Sequence, residues 1–235
     1  MDRKQDLIEH LDELRSRLIF VFVFFAVFSV FGFIISGPMI NRLRADLFPA
    51  GMGVELIATY PMEFFLTKIN IGVFFGILLS IPVILIQIFA FIKPGMKKEE
   101  VRVLRYAIPA GFLLFLLGVC FSYFILLKVG IWFLAGITYS AGVSNFWSVN
   151  YFIFFIFMTS IAMGMVFQMP VITYVLAKMG LIEPSFLKEK RPYVIILSFT
   201  VAAVITPPDP ITQILVAIPM VILFEISVLI SKIFS

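Results

Sequence analysis

The sequence predicts an all-α integral membrane protein with six transmembrane helices, on three observations. The composition is 62% hydrophobic and 14% charged, with 29 Phe, and the mean hydropathy is +1.11, far from the roughly half-apolar, quarter-charged balance of soluble domains. Apolar runs recur along the chain, most of them long enough for a hydrocarbon core of about 30 Å. Basic residues gather in alternate intervals between these runs, as they do on cytoplasmic flanks. In 235 residues, with every polar interval short, there is room for a single transmembrane domain, residues 1–235, and none for a separate soluble one.

Residues 7–18, LIEHLDELRSRL, are the last strongly polar stretch before the chain turns apolar. Leu7, Leu11, Leu14 and Leu18 recur at helical spacing while Glu9, Asp12, Glu13 and Arg17 point elsewhere, the pattern of an amphipathic helix at the membrane surface or of an ordinary solvated helix start. Arg3, Lys4, Arg15 and Arg17 flank the first apolar run and assign the N-terminus to the cytoplasm. That run, residues 18–36, is longer than a secretory h-region, and no small-x-small cleavage pattern follows it, so it reads as a retained anchor. Pro38, Pro49, Gly51, Gly53 and Pro61 then punctuate residues 37–67, which predicts an exoplasmic cap of short helical pieces.

The second span, residues 64–92, ends at a basic interval holding Lys93, Lys97, Lys98, Arg102 and Arg105. A third covers residues 103–127, followed by the charge-free interval 129–150 with Trp132, Tyr139, Trp147 and Tyr151 as interfacial aromatics. The fourth, residues 149–179, would be about 45 Å long as a straight helix and must tilt, kink or project. After Lys178, Lys188, Lys190 and Arg191, the fifth run covers only residues 193–206 before Pro207, Pro208 and Pro210, about 21 Å. The sixth, residues 211–230, returns the chain to Lys232. Spans five and six, shortened by these prolines, are expected to thin the lipid beside them. Fourteen of the 18 basic residues fall on one side of this arrangement, which places both termini in the cytoplasm.

Pro82, Pro109, Pro170 and Pro219 lie within spans and favour a curved, concave wall over a straight bundle. Few polar groups sit at membrane depth: Gln87, Gln168, Thr173, Gln213 and Glu225. Each is a functional candidate because burial in lipid is costly. Glu225, near Lys232, is close enough to the inner surface to reach the headgroups. Enzyme chemistry is poorly supplied. His10 is the only histidine, Cys120 the only cysteine, and no GxSxG or Gly-rich phosphate loop is present, so no catalytic residue, metal site or cofactor is expected. The net charge of +4 is spent on topology signals between apolar runs, and nucleic acid is not an expected partner.

HLDELRSRL before the first span, AFIKPGMKKEE after the second, FQMPV in the fourth, KEKRPY before the fifth, TPPDP with Gln213 after it, and AIPM with LFEI in the sixth occur in order along nearly the whole chain. Together they resemble the TatC family of twin-arginine protein translocase subunits. The resemblance implies a six-helix, glove-like receptor of the bacterial cytoplasmic (inner) membrane. It also implies partners: the twin-arginine signal peptides of folded precursors, TatA- and TatB-type single-span proteins and further TatC copies, with transport driven by the proton-motive force. A guanidinium pair is best gripped by carboxylates that accept forked hydrogen bonds, and Glu13, Glu99 and Glu100 stand among basic neighbours. The resemblance ties the arginine motif to Glu13 and Glu100, although acids at 99 and 100 also suit a helix start. It makes Leu14, Arg15, Pro38, Phe91, Gln168, Thr206, Asp209, Gln213 and Glu225 candidate supporting or partner-contact residues. Many members carry Glu where this chain has Gln168, so a titrating carboxylate is not essential there. A small-solute transporter and a membrane insertase are the alternatives; the dissimilar halves of the chain disfavour the first, and the short loops the second.

Overall fold

The computed structural model describes residues 2–48, 51, 53–92, 98–206 and 209–234, with the side chains of residues 2–11, 89, 92, 98–100 and 234 excepted. Pro49, Lys93, Lys97, Pro207 and Pro208 lie outside the described residues, as do the side chains of Lys98, Glu99 and Glu100.

Helix α1, Asp2–Leu47, is a single helix of 46 residues. The amphipathic stretch and the apolar run are continuous because neither Gly nor Pro interrupts residues 2–31. The sequence reading ended this span at Gly37 and Pro38, and the structure corrects it. Pro38 removes one backbone donor inside α1, but Ile40, Leu43 and Leu47 beyond it are buried in the main core, and their packing outweighs one lost hydrogen bond. The short strand β1, Glu55–Ile57, follows and pairs in parallel with β2, Phe146–Ser148, setting Leu56 opposite Trp147. Helix α2 covers Glu63–Ile92.

Helix α3, Lys98–Phe121, runs through a π-helical turn at Ser122–Leu127 into α4, Lys128–Ser140. The expected end near residue 127 is therefore displaced by thirteen residues of helix: α4 contains no proline, and it buries Gly130, Ile131 and Ala135. The fourth apolar run is broken, as its length required, into α5, Val149–Val166, and α6, Met169–Lys178. Pro170 lies in the first turn of α6, where its missing N–H costs no helical bond. Pro82, Pro109 and Pro219 are instead carried inside α2, α3 and α9. The short α7, Pro184–Glu189, precedes α8, Arg191–Ile205, and α9, Pro210–Phe234. Among the described residues, five helical segments are long and apolar enough to cross a membrane, and α8, with 15 residues, is a shorter apolar helix. The expected shortening applies to α8 alone: α9 has 25 residues, about 37 Å, because Pro210 starts that helix rather than stopping one.

Two cores hold the helices. The larger joins the last turns of α1 to α2, Leu127, Ile131 and α5, with the Phe74 and Phe157 rings stacked 3.9 Å apart. The smaller joins Leu126, Met163, Ala202, Val216, Ala217 and Met220. Trp147, expected among exposed interfacial aromatics, packs against the larger core, whereas Trp132, Tyr139 and Tyr151 are exposed. Along most of its length α1 packs chiefly on α2 and leaves Phe22 and Ile34 at 66% and 71% exposure, a surface suited to lipid. The α1–α2 seam depends on small residues, as helix contacts in membranes do. A Cβ on Gly72 would lie 2.6 Å from the Ser29 carbonyl oxygen, which is backbone and cannot yield.

Gly72→Ala is therefore expected to lower the thermal stability of the detergent-solubilised protein by about 1–3 kcal/mol through overpacking. Gly136→Ala in α4, where a Cβ would meet nothing within 4 Å, is expected to be neutral or to stabilise by up to about 1 kcal/mol. Equal melting shifts in the two variants would show that the α1–α2 seam is not tight.

Candidate functional site

The amino-terminal part of α1 meets the carboxyl-terminal part of α2, because the two helices run antiparallel through the Gly72 seam. Glu13 and Arg17, one helical turn apart, form an ion pair on α1. The Arg17 Nε and Nη2 donate to Glu13 Oε1 at 3.1 and 2.5 Å, and Nη1 donates across to Gln87 Oε1 on α2 at 2.9 Å. Leu14 and Arg15 are exposed on neighbouring faces of α1. Phe91, four residues beyond Gln87 on α2 and partly buried, lies on the same face as Gln87. Glu100 is in the first turn of α3; its side chain is outside the described residues.

A second group lies where α5 gives way to α6. Gln168 Nε2 donates to the Gly111 carbonyl at 3.0 Å and to the Gly164 carbonyl at 3.4 Å, tying α3 to the break beside Pro170. Gly111 admits the amide, since a Cβ there would lie 3.0 Å from Gln168 Oε1. Gln168 lines an otherwise apolar cavity of about 320 Å³ with Leu85, Ile88, Ile108, Val171 and Leu176. Thr173 is buried one turn further on.

The remaining candidates join α8 to α9 at opposite ends. At the turn between them, Asp209 caps α9 by accepting the Ile211 N–H at 3.1 Å and the Thr212 N–H at 2.8 Å, together with the Thr212 hydroxyl. The buried Thr206 hydroxyl donates to the Ala202 carbonyl at 2.9 Å, and the Gln213 amide reaches back to the Phe199 carbonyl at 3.0 Å. At the far end Glu225 accepts from Arg191 Nη2 at 2.6 Å, so it is an ion-pair acceptor between helices. Pro38 is exposed on α1, apart from all three groups. Among the described residues, no three His, Cys, Asp or Glu side chains gather where they would hold a metal ion.

Sequence reasoning missed two clusters at the end of the bundle that carries the strands. Glu63 is fully buried. One carboxylate oxygen accepts from the Thr59 N–H and, at 2.6 Å, from its hydroxyl; the other accepts from the Ser148 hydroxyl and, at 3.0 Å, from the Asn150 N–H. The same Ser148 oxygen caps α5 by accepting from the Tyr151 N–H, and Asn70 donates to Asn150 at 2.9 Å. One carboxylate thus fastens the start of α2 to β2 and the start of α5. A lone acid opening an apolar run was the available signal, but a first-turn acid usually serves only its own helix. Near the π-helical turn, the Tyr123 hydroxyl donates to Asp46 at 2.5 Å and Lys128 pairs with the same carboxylate at 3.8 Å, anchoring the last turn of α1.

Residues 9–219 match the family described as Sec-independent protein translocase protein (TatC). The Sec-independent protein translocase protein TatCy of Bacillus subtilis is 36% identical, over 97% of this chain and 89% of its own length. The TatC protein of Escherichia coli K12 is 37% identical, over 97% of this chain and 88% of its own. A crystal structure of the twin arginine translocase receptor TatC superposes with a TM-score of 0.85 at 36% identity, covering 95% of this chain and 98% of that one.

Glu63→Ala leaves the Thr59, Ser148 and Asn150 donors without their acceptor and is expected to cost about 3 kcal/mol of stability. Glu63→Gln should recover part of this loss, because its amide oxygen still accepts while its NH2 faces donors. Thermal melts of the two variants in detergent check the order; wild-type stability in Glu63→Ala would remove the carboxylate from its structural role.

Proposed function

Because this chain belongs to the TatC family of multi-pass membrane proteins that serve Sec-independent protein translocation, we propose that it is the core receptor of a twin-arginine translocase. In this reading it crosses the bacterial cytoplasmic (inner) membrane six times in a curved, glove-like bundle, with α8 as the short crossing and both termini in the cytoplasm. The bias of basic residues supports that orientation. Its ligands are the twin-arginine signal peptides of folded precursors. Its membrane partners are TatA- and TatB-type single-span proteins and further copies of the chain, and the proton-motive force drives transport.

The observation that carries the reading is the geometry at Glu13, whose carboxylate already accepts two N–H groups of a guanidinium at the end of α1. That is the chemistry a signal-peptide arginine needs: a charge-assisted, forked pair that the single ammonium of lysine cannot reproduce. Glu100 in the first turn of α3 supplies the second acid, with Leu14, Arg15 and Phe91 as supporting contacts. The turn holding Thr206, Asp209 and Gln213, and the exposed length of α8, offer polar and apolar contacts to a single-span partner. Glu225 and Pro38 contribute through the helices they belong to.

Glu13→Ala is expected to weaken binding of a twin-arginine peptide to the full-length receptor by about 1 kcal/mol, roughly fivefold, the modest value of a partly exposed pair. Glu100→Ala should act in the same direction, and the two losses should be non-additive if both acids grip one motif. Peptide titration at rising salt should show the affinity falling; equal binding of Arg-Arg and Lys-Lys peptides would defeat the assignment. Gln168→Leu, which removes the amide that ties α3 to the α5–α6 break, is expected to keep expression while reducing export of a folded precursor in cells. Normal export would leave Gln168 with a packing role only.

A further inference from the structure

We propose that Arg17 occupies Glu13 in the empty receptor and competes with an incoming arginine for it, so that Arg17 lowers the receptor's affinity for its peptide. The proposal rests on the reading of Glu13 as a signal-peptide acid.

Arg17 divides its donors between two helices: Nε and Nη2 lie on Glu13 Oε1 at 3.1 and 2.5 Å, and Nη1 lies on Gln87 Oε1 at 2.9 Å. The side chains are partly exposed, 24% for Arg17 and 36% for Glu13, so an approaching peptide reaches the carboxylate from solvent. When a peptide guanidinium takes Glu13, Arg17 keeps its bond to Gln87 and turns its other donors to water, and no charge is left buried without a partner. For arginine the exchange is like for like, one forked guanidinium replacing another. Lysine brings a compact ammonium without the fork and gives up hydrogen-bond geometry in the exchange. Displacing Arg17 costs the same for either cation, so it lowers both affinities by one factor and leaves the ratio between them to the fit of each cation at Glu13. Arg15, exposed two residues earlier, lies on a different face of α1 and does not share this role.

The test measures affinities of Arg-Arg and Lys-Lys signal peptides for the full-length receptor in lipid nanodiscs, as wild type, Arg17→Gln, Arg17→Lys and Glu13→Ala. In Arg17→Gln both peptides should bind about two- to fivefold more tightly, the range expected for a half-exposed ion pair, with the ratio of their affinities unchanged. Arg17→Lys should give an intermediate gain. Unchanged affinity for the Arg-Arg peptide in Arg17→Gln would overturn the proposal and leave Arg17 as a helix-stabilising pair. A loss of Arg-Arg binding in Arg17→Gln, restored in Arg17→Lys, would also overturn it, since Arg17 would then be orienting Glu13 rather than competing for it. If Glu13→Ala binds the Arg-Arg peptide as wild type does, the receptor reading of Glu13 falls first, and this proposal with it.

Discussion

In hydrocarbon an unpaired N–H or C=O has no water to turn to, and this constraint underlies the rest of the structure. It accounts for the helical apolar segments and for the place of the only described strands, a three-residue pair at the bundle end where α1 has finished and α5 has not begun. It also accounts for where polar side chains stand. Each buried carboxylate or amide described above reaches a partner on another element, as Glu63 does across β2 and α5 and Gln168 does across α3. Glu63, Gln168, Arg17 and Glu225 are therefore fastenings between elements, and the first three hold a local partner as well.

The distribution of these fastenings separates the two ends of the bundle. At the strand end, several elements are bound by multiply held groups: Glu63 and Asn70 in one cluster, Asp46 with Tyr123 and Lys128 in another, and Asn145 donating to the Ala135 carbonyl at 3.0 Å. At the other end, among the described residues, Arg17 joins Glu13 to Gln87 and Arg191 pairs with Glu225, all of them partly exposed. A buried carboxylate held by several donors resists change more than a partly exposed ion pair does. Recognition suits the second kind of surface, where a charged ligand can exchange with an internal partner at small cost.

Much of this was legible in the sequence because it depends on composition. Hydropathy marks the apolar segments, the break near Gln168 and Pro170 follows from a run too long to stay straight, and the short α8 follows from where its apolar run ends. The errors were made at Gly37 and Pro38, at Lys128 and at Pro210, where a local breaker or charge was weighed without the packing around it. Proline costs one hydrogen bond wherever it falls, but whether a helix survives it depends on what lies beyond. After Pro38 that is Leu47, fully buried in the main core.

The amino-acid sequence by itself determined the class of the protein, its family and the identity of the acids set against the basic flanks, because solvation and charge are properties of residues and need no neighbour to be read. Only the tertiary structure decided the pairings: Glu63 with Ser148, 85 positions away, and Arg17 with Gln87, 70 positions away. Such contacts depend on how two helices cross, and the crossing of α1 and α2 is set by a close approach at Gly72 that no local pattern specifies. The same residues, read as charges along a line, gave an acid awaiting arginine; in three dimensions that acid already holds one.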